Sequence, residues 1–326
     1  MKYPLLFEEN LYEVVWGGKN LQMLKGIPSD GRTIGESWEI STVPGKESIV
    51  RNGALTGRTL GELVECYGSE LLGEAVVEKY GLRFPLLVKF IDAARALSIQ
   101  VHPDNALSMA RHGTFGKTEM WYVMQALPGS SLLVGFSEEV SKTDCERRAK
   151  DGTIADVLAR YEVHPGDVFF IPAGRIHSIC GGIMVCEIQQ SSDITYRLFD
   201  YNRPGLDGCP RELHLAEARE AIDYQVLPDY QTHYQPVREG DIRVVDCPSF
   251  AVNVLSTTGR LKRNLRQHRS FVTLSCVEGN AVVRDALGHE VALSRGFSCL
   301  LPAGIADFTV ASADGSEIRL LESWAK

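Results

Sequence analysis

Hydrophobic and polar residues alternate with a period of two over residues 96–102, where Leu97, Ile99 and Val101 point one way and Ser98, Gln100 and His102 the other. One face of that predicted strand is therefore polar. Similar short runs at 84–91, 119–125, 167–171, 183–189 and 194–201 are each bounded by Gly, Pro or Asp, residues that make tight turns. Many short strands joined in this way predict a mainly β protein, a barrel or sandwich with helical insertions. Helical signals are few. Thr59-Leu60-Gly61-Glu62 reads as a capping box opening an amphipathic stretch to about Gly81, because Thr59 can accept from the third helical amide while Glu62 reaches back. Asp104 reads as the N-cap of a short helix that stops at Gly113, and further helical patterns lie near 141–160 and 213–223.

A polar, proline-containing stretch at 224–240 separates two regions rich in strand signals, and predicts a domain of residues 1–235 followed by a β domain of residues 236–326. The two halves share a pattern. Gly166-x5-Pro172-x-Gly174-x2-His177 reappears as Gly296-x5-Pro302-x-Gly304-x2-Asp307, which reads as an internal repeat.

Charge and cysteine content narrow the function. The formal net charge is −8, and no run of Lys and Arg offsets it locally, so nucleic acid is not an expected partner. Eight cysteines occur without a CxxC pair, which predicts reduced thiols and a cytoplasmic location. The N-terminal apolar stretch is broken by Glu8 and Glu9, and no apolar run approaches the length of a membrane span, so neither a signal peptide nor a membrane partner is expected.

The pattern G-x5-P-x-G-x2-H at 166–177 is a signature of the cupin fold, a small antiparallel β-barrel. Its glycines make the turns flanking a strand, Pro172 fixes the bend, and His177 is presented on the next strand. On the polar strand face lie Gln100 and His102; Lys117 and Glu119 share a face on another strand by the same period-2 rule. With His177 these supply two imidazoles, one carboxylate and one amide oxygen, a set suited to zinc with a position left for water or substrate.

The chain resembles the type I mannose-6-phosphate isomerases, in their short bacterial class. The resemblance is carried by Gly35-Glu-Ser-Trp-Glu-Ile-Ser41, Pro85-Leu-Leu-Val-Lys89, Leu97-Ser-Ile-Gln-Val-His-Pro103, Gly116-Lys-Thr-Glu-Met-Trp-Tyr122, Pro172-Ala-Gly-Arg-Ile-His177 and Glu187-x5-Asp193-x3-Arg197. It runs in order over about residues 1–205 and is only architectural beyond 240. The resemblance implies a cupin-like (jelly-roll) barrel and one zinc per chain, held by His102, Glu119 and His177 with Gln100 as a fourth ligand. It also implies a sugar-phosphate substrate, mannose 6-phosphate interconverted with fructose 6-phosphate through an enediol. The family's active-site arginine falls on Arg197, a substrate-pocket lysine on Lys117, and acidic pocket positions on Glu187 and Asp193. Lys117, Arg197 and Arg203 are the cations that could clamp the 6-phosphate. Lys117 and Glu187 both remain open as the proton-transfer base. Aligning Gly129 with Gly279 sets Arg269 opposite Glu119, and the repeat sets Asp307 opposite His177, so the second cupin-like lobe is expected to be metal-free. The other histidines (112, 164, 214, 233, 268 and 289) read as surface residues. Two other readings use the same frame. A cupin oxygenase would use two histidines and a carboxylate on iron, although its first motif usually reads His-x-His where this chain has Gln100-x-His102. A non-catalytic sugar-binding cupin would need neither Lys117 nor Arg197 beside a full ligand set.

Overall fold

The computed structural model describes residues 3–264, 266–305 and 307–326 and is mainly β. The chain divides into two compact units, one comprising Met1–Asn10, Trp38–Lys89 and His233–Lys326, the other Leu11–Ser37 and Phe90–Thr232. Compactness thus groups the chain differently from a single cut at 235. One reason lies at the N-terminus, where Leu5–Leu6 pairs with Ser298–Leu301 and adds an edge strand to the C-terminal sheet.

In the unit built from Leu11–Ser37 and Phe90–Thr232, two sheets face each other. One has the strand order Tyr196–Phe199, Ile99–Val101, His177–Ile179, Ser131–Phe136 and Leu158–Glu162. The other contains Gln231–Thr232, Val168–Ile171, Glu119–Ala126 and Ile183–Gln190 as successive neighbours. The sheets remain separate, giving a cupin-like sandwich in place of one closed barrel. Between them lies a core of Trp121, Val123, Leu132, Val134, Phe169, Ile171, Ile179 and Val185. The outer face of the first sheet is covered by the helices Lys142–Asp151 and Leu215–Ala221, against which Ile99, Val101, Leu133 and Leu198 pack. Ile99 and Val101 therefore face the helices, and Gln100 between them must face the other sheet. Leu97 departs from the expected alternation and joins the inner core. The strand begins only at Ile99, so period-2 alternation does not govern the residue before it.

The other unit repeats the design. A sheet ordered Leu5–Leu6, Ser298–Leu301, Val272–Glu278, Ile318–Ala325, Phe250–Thr257 and Gly240–Asp246 encloses a core with a four-stranded sheet of Arg260–Asn264, Asp307–Ser312, Asn280–Asp285 and Glu290–Ser294. The internal repeat is visible in the backbone hydrogen bonds. Gly166 N donates to Val123 O and Gly296 N to Cys276 O, both at 2.8 Å; Arg175 N donates to Pro172 O and Ile305 N to Pro302 O. This register corrects the alignment made on glycines alone. Glu119 pairs with Ile171, and the equivalent of Ile171, Leu301, pairs with Val272. Val272, not Arg269, occupies the position of Glu119. The shift arises because four residues join Glu119–Ala126 to Ser131–Phe136, whereas one joins Val272–Glu278 to Asn280–Asp285. By the same register Glu322 stands where the first repeat has Glu187, and there it accepts from Arg263 Nε at 2.9 Å and Asn253 Nδ2 at 3.0 Å.

The helical insertion shows why the amphipathic stretch from Thr59 to Gly81 is not one helix. It forms Leu60–Tyr67, Ser69–Leu72 and Glu74–Tyr80, interrupted at Gly68 and Gly73, both with positive φ. A Cβ on Gly73 would stand 2.1 Å from the Arg269 carbonyl oxygen, so the chain can pass there only as glycine. The capping box forms as expected: Thr59 Oγ1 accepts from Glu62 N, and Glu62 Oε2 accepts from Thr59 N at 2.9 Å. Leu60, Leu63 and Val64 then lie buried on one face. Replacing Thr59 with Ala leaves the Glu62 amide without its cap. A cost of about 1 kcal/mol is expected, read by differential scanning calorimetry as a fall in melting temperature of about 2–4 °C. An unchanged melting temperature would show that the cap contributes nothing to the fold.

Candidate metal and active site

The inner faces of the two sheets carry a polar stripe at one end of the core. On the first sheet, Arg197, Gln100, His177 and Val134 stand in one cross-strand row, so their side chains project to the same side. His177 is two residues from Ile179, which is in the inner core, and therefore points inward with it. On the second sheet, Glu119 and Trp121 point inward with Val123, while Glu187 and Gln189 pair directly with Trp121 and Glu119. Hydrophobic packing of the core half of each strand thus determines where the polar half points.

His102, Glu119 and His177 are all buried, and one ligand atom from each lies within 4.8 Å of the others. His102 Nε2 is 3.4 Å from Glu119 Oε2, and His177 Nε2 is 3.4 Å from Glu119 Oε1. Both rings are oriented from behind. His102 Nδ1 lies 2.9 Å from the Ile194 carbonyl oxygen and His177 Nδ1 lies 2.8 Å from that of Arg175. A carbonyl can only accept, so each Nδ1 carries the proton and each Nε2 turns a lone pair into the cluster. Burial, reinforced by the nearby charge of Lys117, pushes the His177 pKa down to about 3, against the opposing pull of the Arg175 carbonyl. The ring is therefore neutral, the state a metal requires.

The donor set fits a divalent metal on this observation. Lys117 Nζ lies against Glu119 Oε2 and 3.1 Å from His102 Nε2, so the cluster is arranged around a positive charge. Burial disfavours the Lys117 ammonium, but the carboxylates of Glu119 and Glu187 more than offset this and raise its pKa above the ordinary lysine value. Gln100 Nε2 is 3.3 Å from His177 Nε2, and its Oε1 accepts from Ser98 Oγ at 3.1 Å. The amide thus stands beside the cluster, where a turn about its last torsion exchanges nitrogen for oxygen.

The predicted residues divide into those the fold brings together and those it does not. Glu187 Oε1 is 3.9 Å from Lys117 Nζ, and its Oε2 accepts from Trp121 Nε1 at 2.8 Å. Arg197 lies in the row with Gln100 and His177, its Nη1 donating to Glu212 O at 3.0 Å, while its Nε makes no hydrogen bond among the described residues. Burial and the neighbouring charges of Arg211 and Arg203 pull its pKa below the ordinary guanidinium value. Arg203 is bound to Asp200 and Ala96 O, and Asp193 is exposed in the loop before Ile194.

Two inward residues were missed. The ring of Trp121 stands edge-on to His177 at a centroid distance of 5.2 Å. Gln189 is fully buried opposite Glu119, donating to the Gln190 and Ser192 carbonyls while its Oε1 accepts nothing from the described residues. The period-2 rule that sets Glu187 inward reaches Gln189 as well. His214 is not a plain surface residue, since its Nδ1 accepts from Arg197 N. Among the described residues no helix is long and apolar enough to cross a membrane, and all eight cysteines are free thiols.

Comparison with known proteins agrees with this geometry. The family model for the catalytic domain of type I phosphomannose isomerase matches residues 6–120, and that for the cupin domain of mannose-6-phosphate isomerase matches residues 242–320. The family likeness thus extends into the C-terminal region, which the motifs alone left as architectural. The mannose-6-phosphate isomerase ManA of Bacillus subtilis is 34% identical over 94% of this chain and 95% of its own length. The mannose-6-phosphate isomerase of Streptococcus mutans is 33% identical over 93% of each. A solved structure of the mannose 6-phosphate isomerase from Bacillus subtilis superposes with a TM-score of 0.86 at 32% identity, covering 99% of both chains. With two facing-sheet units, an inward His/Glu/His cluster and this likeness along almost its whole length, the chain belongs to the type I mannose-6-phosphate isomerase family.

Proposed function

We propose that the protein interconverts mannose 6-phosphate and fructose 6-phosphate in the cytoplasm, with one zinc ion held by His102, Glu119, His177 and the amide oxygen of Gln100. The observation that carries the reading is the convergence of two lone-pair-bearing Nε2 atoms and a carboxylate on one buried point, with Lys117 and Glu187 beside it and Arg197 in the inward row of the facing sheet. His102, Glu119, His177 and Gln100 would hold the ion, which would supply Lewis acidity toward the carbonyl of the open-chain sugar.

The remaining work falls to this chain's own groups. Moving a proton between C1 and C2 needs a base and a means of stabilising charge that develops on an enediolate oxygen. Of Lys117 and Glu187, Glu187 is the better base, because its carboxylate carries the lone pair the transfer needs and stands 3.9 Å from the Lys117 ammonium nitrogen. Its carboxylate is oriented by the indole N–H of Trp121, and Lys117 beside it stabilises negative charge. Arg197, a planar and permanently charged donor, faces the same space and stabilises the enediolate or holds the substrate. Free thiols throughout support a reducing compartment.

Three measurements test this. Exhaustive chelation should abolish turnover in a coupled isomerase assay, and zinc should restore most of it; full turnover by metal-stripped protein would refute the metal reading, and iron with oxygen uptake would favour an oxygenase. His177→Ala should lower metal occupancy, whereas His289→Ala should leave it unchanged, since His289 is half-exposed and paired with Asp285. Equal losses would contradict the assignment. Arg197→Ala should fold and keep its metal, yet lose about 10²- to 10³-fold in kcat, the usual effect of removing one pre-organised donor. A kcat within a few-fold of the parent's would make Arg197 merely structural.

A further inference from the structure

We infer that Asp200 is a positioning residue that sets the Arg197 guanidinium through the segment 201–212. The inference rests on the role proposed above for Arg197. Three arginines, 197, 203 and 211, gather near one buried carboxylate. Asp200 Oδ1 accepts from Arg203 Nε at 3.1 Å, Arg203 Nη2 at 2.7 Å and Arg211 Nη2 at 2.5 Å, and its Oδ2 accepts from Arg211 Nε at 2.6 Å. Burial favours the neutral acid, but these two guanidinium partners more than offset it and hold the Asp200 carboxyl below its usual range.

The topology turns this ion cluster into a clamp. Directly after Asp200 the chain bends through Tyr201 and Asn202, which adopt positive φ of 57° and 51° without being glycine; such backbone persists only where its surroundings over-determine it. The segment runs out through Arg203, closes on itself where Gly205 N donates to Cys209 O at 2.6 Å, and returns through Arg211. Asp200 therefore holds both legs. On the outgoing leg, Arg203 Nη1 also donates to Ala96 O at 2.6 Å, just ahead of the strand whose Gln100 pairs with Arg197. On the return leg, the residue after Arg211 is Glu212, and its carbonyl accepts from Arg197 Nη1 at 3.0 Å. His214 N then donates to Arg197 O at 2.8 Å. Moving Arg211 moves Glu212, and with it the oxygen that orients Arg197. Removing the Asp200 charge also leaves Arg203 and Arg211 uncompensated beside Arg197, and like charges drive the three apart.

The test is a double-mutant cycle on the zinc-loaded enzyme, with kcat and KM for mannose 6-phosphate, metal content and melting temperature measured for Asp200→Asn, Arg197→Ala and the double variant. Asp200→Asn should keep its metal and lose about tenfold or more in kcat/KM through misplacement of a neighbour. In the Arg197→Ala background the same change should cost less than about twofold, since its effect passes through a side chain already gone. Asp200→Glu should recover part of the loss. Multiplicative losses in the double variant, or an Asp200→Asn enzyme equal to the parent, would overturn the inference. Should Asp200→Asn fail to fold, Arg211→Gln breaks the same clamp from its more exposed side, and its cycle with Arg197→Ala decides on the same criterion. Full turnover by Arg197→Ala would refute the role of Arg197 itself and this inference with it; a crippled Arg197→Ala with multiplicative losses would refute only the positioning.

Discussion

Two backbone carbonyls set the chemistry of this protein. The oxygens of Arg175 and Ile194 take the Nδ1 protons of His177 and His102, and that choice of tautomer turns both Nε2 lone pairs toward Glu119. A ring rotated the other way would present an N–H to the cluster and repel a cation. Each carbonyl lies just outside a strand, so loop backbone geometry, not side-chain identity alone, orients the donor set. The Arg175 carbonyl lies at the end of the Pro172–Arg175 turn, so the glycine and proline of that motif shape the backbone that holds the proton.

The cluster is buried, and burial makes its charges interdependent. Burial disfavours the Lys117 ammonium while the carboxylates of Glu119 and Glu187 favour it, and the interior and Lys117 both oppose a positive charge on His177. Groups so coupled respond together when a metal or an anionic substrate arrives. Arg197 stands at the edge of this region under a different constraint. Its charge is flanked by two further guanidiniums, and Asp200 is the counterion that keeps them in place.

The second repeat shows what the fold does without the ligands. The same register that sets Glu119 and Glu187 in the first unit sets Val272 and Glu322 in the second. Glu322 retains a buried carboxylate but gives it to Arg263 and Asn253, so an internal ion pair occupies that position. A buried pair of this kind is weak as a stabiliser and strong as a constraint on which partners meet.

The amino-acid sequence by itself determined the β-rich architecture, the capping box at Thr59, the Asp104 cap and the internal repeat, and it offered His102, Glu119 and His177 as candidate metal ligands. The strands and caps follow from local rules of period and turn that act over a few residues, and the repeat and the candidate ligands from motifs that recur or complement one another along the chain. The grouping of Trp38–Lys89 with the C-terminal strands has no counterpart in a single cut at 235, because long-range packing has no local signature. The glycine alignment missed Val272, because loop lengths differ between the repeats and only interstrand hydrogen bonds reveal register. Tertiary structure alone decided that Trp121 orients Glu187, that Gln189 lies buried opposite Glu119, and that Asp200 gathers Arg203 and Arg211 beside Arg197. Those contacts join residues distant in sequence or turned by backbone that no pattern predicts, and they form only when both sheets have packed their apolar halves together.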